Sequence, residues 1–63
     1  MIAVETLTVE LDHKEAVALA QLVKRITWSD LRGCAVDDDE AYLMRDAIGK
    51  LQRALRDEGY APR

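Results

Sequence analysis

One stretch, Asp37 to Gly59 (DDDEAYLMRDAIGKLQRALRDEG), restricts the folds open to this chain more than any other. Placed at about 100° per residue, Ala41, Leu43, Met44, Ala47, Ile48, Leu51, Ala54 and Leu55 fall in one broad arc, the pattern of an amphipathic helix. Asp37, Asp38 and Asp39 are three candidate caps at its start, where acids also complement the positive end of the helix dipole. Gly59 is a natural residue to follow its last turn, because glycine enters the left-handed region without a steric penalty. The spacing therefore predicts a helix over about 38–58, with an apolar arc that the rest of the chain must cover.

Upstream, Asp12 and Glu15 stand at capping-box spacing, so the first helix starts there. Ala16, Leu19, Ala20, Leu22, Val23 and Ile26 then share one side, which predicts a core-facing helix over about 13–27. Lys14, Gln21, Lys24 and Arg25 form its solvated back. The period breaks at Thr27, and Ser29 reads as the N-cap of a single short turn that Gly33 stops. Trp28 and Leu31 are expected to fold back and close the core. Before Asp12, residues 2–11 (IAVETLTVEL) are rich in β-branched side chains and alternate over their later half, the mark of a half-buried strand. Leu7, Val9 and Leu11 fall on one face, and Thr6, Thr8 and Glu10 on the other. The expected fold class is α+β in a single domain, 1–63: one N-terminal β-strand, then two long antiparallel helices joined by a short helical turn.

No second stretch alternates, so that strand has no partner within the chain, and its row of backbone donors and acceptors needs one. A chain of 63 residues also has a marginal core, and the single cysteine, Cys34, allows no internal disulfide. The strand can pair with its own copy in a second subunit, add to a partner's sheet, or lie packed and capped by side chains; the first of these, a homodimer through the N-terminal strand, answers both needs. With one histidine, His13, and one cysteine, read as a small buried hydrophobe, there is no zinc set, and no metal or cofactor is expected. No run approaches the roughly 20 apolar residues of a membrane span. The opening MIAVETLTVEL lacks a basic segment and a cleavage signal, so with one unpaired thiol the cytoplasm is the expected compartment. Twelve acids against nine bases, a net charge of −3, supply no basic patch and disfavour direct DNA binding.

Two groups of polar residues are candidate sites. Asp37, Asp38, Asp39 and Glu40 cap the second long helix and complement its dipole; they also make a negative patch suited to a basic partner. As a metal site they fail, because consecutive carboxylates splay apart on a helix and no calcium-loop spacing follows. Tyr42, Arg45, Asp46, Gly49 and Arg53 lie outside the apolar arc. Tyrosine and arginine are the anchors of binding hot spots, and glycine lets another backbone approach. The same tyrosine also suits a structural role under Trp28 or the tail. Asp46 precedes Lys50 by four, the favourable order for an ion pair. Neither Ser29 nor Thr27 has a base to activate it, and no catalytic constellation can be assembled.

The passage TVELDHKEAVALAQLVKR is similar in pattern to the strand and first helix of ribbon-helix-helix repressors and antitoxins. That resemblance implies a dimer whose paired strands present Thr6, Thr8 and Glu10 to the DNA major groove. Glu10, with Glu5 nearby, would repel the phosphates there, and the connection at about 27–36 is long for that fold. The passage WSDLRGCAVDDDEAYLMRDAIGKLQRAL resembles short proteobacterial and phage-type proteins, among them the small acidic anti-CRISPR inhibitors of type I systems. This second resemblance implies a non-enzymatic, stoichiometric inhibitor. It would bind a basic, Cascade-type surveillance complex through its acidic surface and block DNA binding. The alternative is the dimeric ribbon-helix-helix-type regulator.

Overall fold

The computed structural model describes residues 3–60, so Ile2 of the expected strand and the tail at 61–63 lie outside it. Three helices follow one another: α1 (His13–Arg25), α2 (Trp28–Cys34) and α3 (Asp38–Asp57). Among the described residues there is no β-strand and no sheet, so the fold is all-helical rather than α+β. Residues 3–11 form an exposed arm without regular secondary structure. Alternation sets which side chains share a face, but a strand also needs a second one to bond with, and a single chain offers none. The arm's apolar side chains are accordingly open to solvent, Leu7 at 84%.

Each helix starts at a side-chain cap. Asp12 accepts from the Glu15 amide at 2.8 Å and Glu15 Oε1 from the Asp12 amide at 3.0 Å, the box expected for α1. Thr27 and Asp30 form a second box, at 3.2 and 2.9 Å, so the cap of α2 lies two residues before the expected Ser29. Ser29 cannot compete, because the residue three beyond it is Arg32, which has no oxygen to return the bond. Gly33 does not stop this helix. It lies inside α2, which runs on to Cys34 and gives way to an extended Ala35. For α3 the cap is Asp37, accepting from the Glu40 amide at 2.8 Å, while Glu40 Oε1 accepts from the Val36 amide at 3.1 Å. At its far end Gly59 takes φ +92°, the only positive φ among the described residues. The Tyr60 amide then donates to Leu55 O at 2.8 Å and the Gly59 amide to Arg56 O at 2.9 Å. These two bonds are a Schellman closure, as the glycine's position led one to expect.

Helix α3 is the platform on which both other helices pack. Tyr60, just past its end, places its hydroxyl 3.2 Å from His13 Nδ1 at the start of α1, so the two long helices run antiparallel. The core is Ala16, Ala20, Val23, Leu31, Ala41 and Leu55, with Leu19, Ile48 and Tyr60 packed round the Ala20–Val23–Leu55 cluster. Half of it is alanine, which covers little area. Several expected core positions are instead open: Leu22 at 57%, Leu43 at 69%, Ala47, Leu51 and Ala54 further along α3, Trp28, and Cys34, a free exposed thiol. The arc on α3 spans more than α1 and α2 together can cover.

Candidate interaction site

The capping box at Thr27 makes Trp28 the first residue of α2, and the docking of α2 on α3 brings it to Tyr42. The two rings lie 4.8 Å apart between centroids, inclined by 42°. Arg45 is one turn beyond Tyr42, hence its neighbour on the helix surface. Its guanidinium sits 4.9 Å from the Tyr42 ring centre, within range of a cation–π contact. The stack is partly open, with Trp28 42% and Tyr42 48% exposed, so the tyrosine is both covered by the indole and presented to solvent. Asp46 Oδ1 lies 3.4 Å from Arg45 Nη2, and Asp46 pairs there rather than with the expected Lys50. At the edge of the same junction Arg32 Nε meets Asp38 Oδ1 at 2.6 Å, tying α2 to the start of α3.

The four-acid run separates by role. Asp37 and Glu40 are engaged in capping and Asp38 faces Arg32, leaving Asp39 as the acid without a partner among the described residues. Tyr42, Arg45 and Asp46 are brought together. Gly49 is not packed against anything: a Cβ there would have no atom within 4 Å, so no close approach inside the chain accounts for it. Arg53, eleven residues past Tyr42, lies about 16 Å further along α3 and outside the stack. Trp28 and Arg32 were missed as site residues. The available signal was Thr27-x-x-Asp30, which places Trp28 at the start of a helix rather than in a closing loop.

The Thr27 backbone amide, and then its hydroxyl, hold the Asp30 carboxyl below its usual 3.8, because both bonds favour the ionised form. Among the described residues no three His, Cys, Asp or Glu side chains group so as to hold a metal ion. None of the described helices is long and apolar enough to cross a membrane.

These features define a small three-helix domain carrying one assembled aromatic–cation face. The sequence matches, over residues 1–63, the family model described as a family of unknown function, DUF7706, and the chain belongs to that family. No curated protein and no solved structure matches it.

Proposed function

We propose that this chain is a non-enzymatic interaction protein that recognises another protein through the Trp28–Tyr42–Arg45 face. One observation carries the reading: three residues of the types that dominate binding hot spots are stacked at a helix junction and left half open. Rings held by a neighbour lose little further freedom on binding, which favours affinity. Arg45 and Arg32 are each met by a carboxylate, so the face has mixed charge. The exposed Asp38, Asp39 and Asp46 on this half of α3 suit a partner that is basic at the point of contact.

Taken with the likeness to small type I inhibitors, the partner proposed is a cytoplasmic surveillance complex of the Cascade type, blocked at its DNA-binding surface. The test is an electrophoretic assay of target-DNA binding by a purified type I complex, with and without stoichiometric protein. Loss of the DNA-bound band, relieved when Asp38, Asp39 and Asp46 become Asn, supports the proposal. An unchanged band rejects this partner. Tight binding of the protein itself to duplex DNA, with a steep salt dependence, replaces the inhibitor with the regulator.

A further inference from the structure

The apolar arc of α3 continues past its own core. Leu43, Ala47, Leu51 and Ala54, at i, i+4, i+8 and i+11, are all exposed and form a stripe about 16 Å long. Its C-terminal half borders a groove of about 670 Å³ walled by Leu7, Val9 and Leu11 of the arm and by Leu19 and Leu55. Leu51 belongs to that groove and also to a second apolar hollow, beside Ile26, Leu31 and Met44. The uncovered surface is therefore continuous.

Its extent can be measured against what a compact chain shows. The chain exposes 5590 Å², whereas a compact monomer of 7.1 kDa exposes about 4,100 Å². The excess is about 1,500 Å², shared between this surface and the open arm at 3–11; two chains hiding half of it in one another would bury roughly 1,500 Å², the standard size of a stable interface. The radius of gyration, 12.8 Å against about 10.6 Å for a compact chain of this length, reflects the same open arm.

We propose that the stripe is covered by a second copy of this chain, α3 against α3, antiparallel across a two-fold axis. An axis near residues 48–49 sets Leu43 opposite Ala54 of the second copy and Ala47 opposite its Leu51. Large meets small at each level, the condition for two helices to approach closely. Leu43 of one copy then enters the mouth of the other's groove and covers Leu7 and Val9. Charge favours the same sense. Asp39 and Asp46 flank the first half of the stripe, and Lys50 and Arg53 the second, so antiparallel pairing lays Asp46 beside the other copy's Lys50. Asp57 approaches the acidic start of the other α3 only at the open ends of the pair, where salt screens it. Tyr42 and Arg45 point away from the stripe, so the dimer carries two copies of the aromatic–cation face.

Sedimentation equilibrium on the full chain tests this. The wild type at about 50 µM is expected at about 14 kDa, twice the 7.1 kDa chain. Leu43→Glu, at a position the single chain leaves exposed, is expected to give the single-chain mass with its helical circular dichroism retained. Asp46→Lys and Lys50→Asp are each expected to weaken the dimer at least about tenfold at low salt, and the double exchange to restore it. These charge variants keep the proposal testable should Leu43→Glu lose its helices. A monomeric wild type overturns the proposal. So does an L43E protein that dimerises as tightly as the wild type, or a dimer broken by Thr8→Pro in the arm but not by L43E.

Discussion

Gly49→Ala is expected to stabilise the protein. Gly49 is the twelfth of the twenty residues of α3, far from both caps, where glycine is less favourable than alanine by roughly 1 kcal/mol. Such a substitution fails when the new methyl group collides or when the backbone is one that alanine avoids. Neither holds here: the methyl would meet nothing within 4 Å, and φ at Gly49 is negative. For 63 residues the unfolding entropy is about 130 cal/mol/K, so 1 kcal/mol raises Tm by about 8 °C. Thermal unfolding followed by circular dichroism at 222 nm, at fixed protein concentration, reads this directly. Gly59→Ala is the control of opposite sign. Open space surrounds it too, but its φ of +92° costs an L residue about 1–2 kcal/mol, so Tm should fall. A lower Tm for Gly49→Ala would refute the reasoning and mean that something packs against Gly49. A higher Tm joined to weaker partner binding would instead identify the glycine as a point where the partner's backbone comes close.

Asp37→Ala should cost about 1 kcal/mol in urea unfolding, because it removes the cap of α3, whereas Asp39→Asn should stay within about 0.5 kcal/mol. Equal losses at the two positions would show that the acids act through their summed charge and not through the cap. Asp30 should titrate in the folded protein below 3.8 by side-chain NMR, since the Thr27 bonds favour its ionised form. A depressed carboxylate stabilises the fold above its unfolded value and loses that effect as pH falls through the folded one. The Tm difference between wild type and Asp30→Asn should therefore be greatest above about pH 4 and shrink below it. A difference independent of pH would assign it to shape alone.

The helices were legible because their signals are local. Asp12 with Glu15, the apolar spacing from Ala16 to Ile26, and Asp37 followed by the arc to Leu55 are each decided within one or two turns. Gly59 belongs with these, since a single residue's freedom sets that closure. The start of α2 was equally local but misjudged: Ser29 is a good cap by type, yet only Thr27 has a carboxylate three residues on. The arm was a different case. The sequence 2–11 carries the side-chain pattern of a strand, while a ladder depends on a partner whose presence no local pattern encodes. The same distinction governs the core. Leu22 and Leu43 lie on the apolar sides of their helices, but whether a position is covered depends on how wide the facing surface is, and a seven-residue α2 is narrow. In the candidate site, the i, i+3 spacing of Tyr42 and Arg45 could be read directly. Their meeting with Trp28 depends on the packing of α2 against α3, which the sequence does not display.

The proposed α3–α3 dimer completes a core that the single chain leaves open. The most direct measurement is the concentration dependence of Tm, by circular dichroism from about 1 to about 100 µM. A dimer that unfolds to separate chains gains stability by mass action, and for two chains of 63 residues a hundredfold increase should raise Tm by about 10 °C. A Tm that stays constant across that range would contradict the account, because a fold completed within one chain has no reason to respond to its own concentration.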